Sequence, residues 1–271
     1  MGEAQKQVGG PTLLGVPYDA SSSFLRGAAQ GPTAIREALH SPSTNGWSES
    51  LREIVRADVL ADAGDVAFVA DDERGSIERA AAGVIAGGRR VIALGGDHSV
   101  SYPLIRAHAS ALGGFTVLHL DAHPDLYPEF DGDRYSHACP FARVLEDGLA
   151  ERLVQVGIRT MNDVGAAQAA TYEVEVIDMR AWTAGLRPDV WGPVYLSVDL
   201  DVFDPGFAPG VSHHEPGGLS PREVITLIQQ LDARIVGADV VELNPSRDPL
   251  GMTAMLAAKL VKEIAAKFLE R

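Results

Sequence analysis

Short apolar runs and longer stretches of helical periodicity alternate along almost the whole chain, which predicts a succession of strand, helix and strand. Thr12–Pro17 reads as a first strand running into the loop Tyr18–Ser23. A helix follows over Gly31–Leu39, with Pro32 in its first turn, and then a loop from His40 to Ser50 rich in Ser, Asn, Gly and Pro. Val59–Leu60 and Val66–Val69 are short strand candidates. The Ala-rich stretch Ile77–Ala86 is helical until Gly87-Gly88, and Arg90–Leu94 is a strand. Ser99–Leu112 is a helix ended by Gly113-Gly114, and Phe115–Leu120 is a strand.

The same rhythm continues with a helix over Phe141–Leu149, a strand over Leu153–Ile158, a helix over Met161–Ala170 and a strand over Glu173–Ile177. Val194–Val198 reads as a central strand, residues 205–218 as a long loop, Pro221–Leu231 as a helix and Ile235–Leu243 as the last strand. Thr253–Leu269 reads as a closing amphipathic helix, with Leu256, Leu260 and Ile264 on one face and Lys259, Lys262 and Lys267 towards solvent. Alternating strands and helices imply crossover units, so the expected fold is a three-layer α/β/α sandwich around a mainly parallel sheet. With no linker, composition break or repeat, residues 1–271 are expected to form a single domain, residues 1–10 being flexible. In such sheets ligands bind beyond the carboxyl ends of the strands.

Composition narrows the function. The chain has 271 residues and a formal net charge of -14, with Lys and Arg scattered, so it lacks the basic footprint of a nucleic-acid partner. Acidity alone is an ordinary soluble surface, although it also attracts cationic substrates. Cys139 is the single cysteine, which permits no intrachain disulfide and points to a reducing cytoplasm. No run reaches the roughly 18 apolar residues of a membrane span, and the first residues lack an apolar signal core.

The candidate chemistry sits at three strand ends. Asp121, His123 and Asp125 alternate after Phe115–Leu120, and the period of two aims all three the same way. Asp199 and Asp201 alternate likewise after Val194–Val198, and His98 follows Gly95-Gly96-Asp97. Standing alone, Asp199-Leu200-Asp201 is an ordinary solvated turn. Two carboxylates forced together in a dry pocket instead demand a cation, and two His with four Asp at the carboxyl ends of three predicted strands indicate a metal site. Oxygen-rich donors with two imidazoles and no thiolate favour manganese over structural zinc, and six side chains suit two ions. Among the other histidines, His119 reads as a satisfied core residue, His40 and His108 as surface residues, and His213 and His214 as residues of a loop at the pocket mouth.

Gly95-Gly96-Asp97-His98-Ser99, Asp121-Ala122-His123-Pro124-Asp125 and Ser197-Val198-Asp199-Leu200-Asp201-Val202-Phe203-Asp204-Pro205 resemble, in order, motifs of the arginase/agmatinase ureohydrolase family. The likeness extends to Tyr135–Phe141, Glu215–Leu219 and Val240–Pro245. It implies an arginase-like fold with two manganese ions, one held by His98, Asp121, Asp125 and Asp199 and the other by Asp121, His123, Asp199 and Asp201. Asp121 and Asp199 would bridge. It further implies that His137 shuttles protons and that Glu242 binds a guanidinium group; in the mechanism this suggests, Asp201 is the candidate relay of a proton to the leaving nitrogen. Homotrimers or homohexamers are the implied assemblies.

The implied reaction cleaves a small cationic guanidino compound to urea and an amine. Tyr127 occupies a position where arginases usually carry Asn, so agmatine leads as substrate, yielding putrescine and a place in polyamine metabolism. Gly210–His214 departs from the agmatinase pattern, which keeps guanidinobutyrate, formiminoglutamate and arginine as alternatives, with Arg134 or His213 as the cation for a carboxylate. His213 and Tyr127 join Glu242 and His137 as substrate-contact candidates. The rival classes are a two-metal phosphoesterase, which would show a basic phosphate-reading cluster, and a non-enzymatic binding homologue.

Overall fold

The computed structural model describes residues 9–182 and 188–270, so the expected flexibility of residues 1–8 lies outside the described residues. The eight strands among the described residues join one parallel sheet in the order β2-β1-β3-β8-β7-β4-β5-β6. They are β1 Pro11–Gly15, β2 Ala61–Asp65, β3 Arg90–Leu94, β4 Thr116–Leu120, β5 Arg152–Ile158, β6 Glu175–Asp178, β7 Pro193–Asp199 and β8 Arg234–Val241. The helices are α1 Gly31–Leu39, α2 Glu73–Ala86, α3 Ser101–Leu112, α4 Pro140–Glu146, α5 Asp163–Thr171, α6 Pro221–Gln230 and α7 Met252–Phe268. Side chains alternate between two cores: Leu118, Leu120, Leu196 and Val198 pack in the core that α1, α6 and α7 share. Val117, Tyr195, Leu104 and Phe141 pack in the other, beneath α2, α3 and α4. Burial on both faces explains why these strands read as continuous apolar runs.

The sequence of strands in space decides where the site lies. Successive strands β4, β5 and β6 run to one edge, after which β7 and β8 return and fill the gap between β3 and β4. The carboxyl ends of β3, β8, β7 and β4 are thereby brought side by side, at the point where the direction of strand addition changes.

Three expectations need correction. The second strand is Ala61–Asp65, lying between the two apolar candidates Val59–Leu60 and Val66–Val69, and it is mostly exposed. It pairs only with β1 at the sheet edge, so burial does not demand an apolar sequence there. Helix α7 is buried nearly all round: Lys262 is 4% exposed, and its ammonium donates to Thr44 Oγ1 and Asn45 O, so the loop His40–Ser50 covers the face expected to meet water. His108 is buried rather than superficial, donating from Nδ1 to Leu104 O and packing edge-on against Tyr195.

Candidate metal centre

Each ligand segment is fixed by local chemistry before it reaches the site. After β3, Gly96 passes so close to Tyr18 that a Cβ would lie 1.8 Å from its carbonyl oxygen, and the Asp97 amide donates to that oxygen at 2.9 Å. The Asp97 carboxylate is engaged by backbone amides. It accepts from Ser99 N at 3.1 Å, capping the short helix His98–Val100, and from Ser21 N at 2.9 Å, which anchors the Tyr18–Ser23 loop over the site. Burial, followed by the charge of Glu242, pushes the Asp97 carboxyl up to about 7.

His98 is fully buried, and its ring is oriented from behind. Tyr195 and Ser197 on β7 both donate to Asp239 on β8, at 2.7 and 2.6 Å. With its hydrogen committed to Asp239, the Ser197 hydroxyl accepts from His98 Nε2 at 3.0 Å. His98 Nδ1 therefore faces the cavity, 3.1 Å from Asp121 Oδ2, 3.1 Å from Asp125 Oδ2 and 3.2 Å from Asp199 Oδ2, yet it makes no well-formed hydrogen bond. A second group adjoins the first: His123 Nδ1 lies 2.9 Å from Asp201 Oδ2 and 3.4 Å from Asp121 Oδ1. Asp121 thus turns one oxygen to each group.

The donors fit divalent cations. Ligand atoms at about 2.1 Å from an octahedral ion are separated by roughly 3.0 Å along each edge, close to the spacing around His98 Nδ1. Two further carboxylate oxygens are held by backbone amides: Asp199 Oδ1 by Asp201 N at 2.8 Å and Asp201 Oδ1 by Ala122 N at 3.0 Å. Without a cation the carboxylates crowd one another. Burial, then repulsion from Asp201 and Asp121, drives the Asp199 carboxyl well above its ordinary range. Burial and Asp121 raise that of Asp201 to about 6. Burial opposes protonation of His98, but contacts to Asp121, Asp125 and Asp199 outweigh it and raise its pKa. A cation relieves both conflicts by replacing that proton.

Beyond the ligands, Glu242 and His137 occupy the same cavity, of about 240 Å³, with Ser23, Tyr127, Phe130, Thr160, His213 and Glu215 on its wall. Glu242 follows β8 with φ 65°, and Asp125 follows β4 with φ 49°, so two site residues occupy the left-handed region, where backbone strain gathers at functional sites. Glu242 Oε1 accepts from His98 N at 2.9 Å and lies 3.2 Å from His137 Nδ1, while His137 Nε2 lies 2.8 Å from Ser23 Oγ. Burial lowers the His137 pKa, but hydrogen bonding to and the charge of Glu242 raise it further, to about 9.

His213 is half-buried and stacks on His137 at 5.2 Å, and burial pulls its pKa down. His214 points elsewhere, its Nε2 2.8 Å from Pro209 O. Arg134 stands outside the cavity, paired with Glu146 at 2.7 Å, so it cannot serve a carboxylate there. Ser23, Gln155 and Asp239 lie in none of the motifs, and Ser197 heads one of them without an assigned role, so only register and contacts reveal what these four touch.

The arginase family profile matches residues 10–266. This chain belongs to the arginase family. It is 47% identical to arginase 1, mitochondrial, of Arabidopsis thaliana, over 98% of this chain and 84% of that protein. It is 41% identical to the N(1)-aminopropylagmatine ureohydrolase of Thermus thermophilus, over 86% of this chain and 82% of that one. The arginase structure from Medicago truncatula superposes with a TM-score of 0.90 at 42% identity, covering 96% of this chain and 88% of that one. These relatives make the chain an arginase-family ureohydrolase with a three-layer α/β/α fold. Among the described residues, no helix is long and apolar enough to cross a membrane.

Proposed function

We propose that this chain hydrolyses a linear guanidino compound to urea and an amine at a two-manganese centre built from His98, Asp121, His123, Asp125, Asp199 and Asp201. The reading is carried by the placement of Glu242, a buried carboxylate oriented by His98 N, in the cavity that also contains the ligand cluster. Two divalent ions held by these residues would supply a water acidic enough to act as a nucleophile at neutral pH.

The protein supplies orientation and proton transfer. A carboxylate matches the planar N–H fork of a guanidinium, and with Glu242 Oε1 engaged by His98 N, Oε2 is the oxygen left for substrate. Held there, the guanidino carbon is presented to the nucleophile in one orientation. Asp201 takes the proton released on attack and passes it to the departing nitrogen. His137, between Glu242 and Ser23, exchanges protons with solvent through the cavity mouth.

The lining favours a substrate that is cationic throughout. Glu215 adds a carboxylate to Glu242 and the aspartates, and among the described residues no Lys or Arg is on the wall. Agmatine, with a guanidinium at one end and an ammonium at the other, fits that charge. Arginine is the second reading, favoured by the names of relatives that are 44 to 47% identical to this chain. The test is a manganese-loaded panel of agmatine, arginine, guanidinobutyrate and formiminoglutamate, with urea and formamide scored separately. Highest kcat/KM with agmatine is the expected result, highest kcat/KM with arginine selects the second reading, and formamide as the sole product refutes urea formation.

A further inference from the structure

Beneath the cluster, the parallel register lines up four buried polar residues on one face of the sheet. Gln155 on β5 is level with His119 on β4, His119 with Ser197 on β7, and Ser197 with Asp239 on β8. The Ser197–Asp239 end orients His98, as described above. The Gln155–His119 end has a geometry that fixes where protons lie.

Gln155 Nε2 is 2.7 Å from Pro124 O and 3.0 Å from His119 Nδ1. A backbone carbonyl only accepts, so the amide end facing Pro124 must be the NH2; the reverse orientation would set two oxygens against each other. Its second hydrogen then points at His119 Nδ1, which must offer a lone pair. The ring proton is consequently on Nε2, which lies 2.7 Å from Asp121 Oδ2. Phe141 packs on the same ring at 3.9 Å between centroids, leaving little freedom to turn. Gln155 Oε1 is left without a partner among the described residues, so the orientation is selected by Pro124 and His119 alone.

We infer that Gln155 and His119 are positioning residues of the metal centre. His119 donates from Nε2 to Asp121, the carboxylate that faces both ligand groups, and Gln155 dictates that tautomer while pinning Pro124 between His123 and Asp125. His119 has a ring nitrogen within ligand range of His98 and Asp121, but both of its nitrogens are committed and it is not itself a ligand. This inference rests on the metal-centre reading, since without ions there is nothing for Asp121 to be positioned towards.

The direct test is a long-range ¹H–¹⁵N correlation spectrum of histidine-labelled, chelator-treated protein. The expected result is a neutral ring with its proton on Nε2, assigned by its disappearance in His119→Gln. A His119 ring protonated on Nδ1, or on both nitrogens, overturns the inference. The second measurement is Mn²⁺ affinity. Gln155→Glu is nearly isosteric but offers His119 Nδ1 an acceptor in place of a donor, and should weaken Mn²⁺ binding roughly 10- to 100-fold. An unchanged affinity in a folded Gln155→Glu protein counts against it. His119→Gln, which can carry an amide N–H to the Nε2 position, should retain more affinity than His119→Phe; equal losses would indicate packing alone. If Gln155→Glu does not fold, the wild-type spectrum decides. Failure of the wild type to bind two Mn²⁺ would instead refute the metal centre and leave the tautomer result standing.

Discussion

Replacing Asp199 by Asn separates what the cluster does with cations from what it does without them. In the metal-free protein Asp199 is buried against Asp201 and Asp121, and its carboxyl is driven well above the ordinary range. It is held neutral there, or it is charged at a cost of about 1.4 kcal/mol for each unit by which its pKa lies above that of the unfolded chain. Asn is an isostere of the neutral form, and its Oδ1 can still accept from Asp201 N. The metal-free variant should therefore unfold no earlier than metal-free wild type. With Mn²⁺ the order reverses. An ion at 100 times its dissociation constant stabilises the folded state by about 2.7 kcal/mol, and a chain of this size gains roughly 2 to 4 °C in Tm for each kcal/mol. Wild type should rise by about 5 to 10 °C per bound ion, and Asp199→Asn by much less, with urea release lost in parallel. Calorimetry with and without chelator, together with metal content and urea assays, reads all three quantities. An Asp199→Asn protein that keeps two ions and full activity, or one that is several kcal/mol less stable when metal-free, would refute this account of the cluster.

Glu242→Gln should retain its metal content while kcat/KM falls roughly 30- to 1,000-fold, as expected for losing about 2 to 4 kcal/mol from a buried charged contact with substrate; unchanged kinetics would remove Glu242 from the substrate site. Burial holds His108 neutral, with its pKa lowered to about 4 from the ordinary 6.5. The unfolded chain then binds a proton that the folded chain refuses, so about 3 kcal/mol of stability is present above pH 6.5 and lost as pH falls to 4. Denaturant midpoints across that window should fall less steeply for His108→Leu than for wild type. Gly157 has φ 100°, and a Cβ there would lie 2.7 Å from Val202 Cγ2 and 2.8 Å from Asp121 O. Gly157→Ala should cost about 1 to 3 kcal/mol and weaken Mn²⁺ binding; titration calorimetry showing wild-type affinity would free Gly157 from any role in placing Asp121.

The ligand segments were legible because strand ends are local properties: Asp121, His123 and Asp125 follow the end of β4, although they lie past the strand itself and the left-handed backbone of Asp125 is not a strand conformation. Relations between strands were not. The late return of β7 and β8 to the middle of the sheet sets Ser197 beside both His119 and Asp239, and no single-strand pattern reports a neighbour from a distant part of the chain. For that reason Gln155 drew no attention and His108 was placed at the surface although it packs on Tyr195, while His119, correctly read as a satisfied core residue, had its partners hidden. Likewise Lys262 looked solvated because a polar residue on a helix says nothing of the loop that covers it. The lone Cys139 suggested a reducing cytoplasm, but a relative named as mitochondrial shows how little a single cysteine fixes.

The insertion of β7 and β8 also bears on how the site is assembled. β3 pairs with β8 across the register Ile92↔Ala238, and β4 pairs with β7 across Leu118↔Leu196, separations of 146 and 78 residues. A nascent chain that ends before β7 therefore has His98 and Asp121 on strands that do not touch, each with an open edge. Contacts so distant in sequence close slowly, and until they do the ligands of one ion remain divided between two unjoined halves of a sheet. Metal capture should then report completion of the fold, arriving as its last event and sealing the two central strands in place.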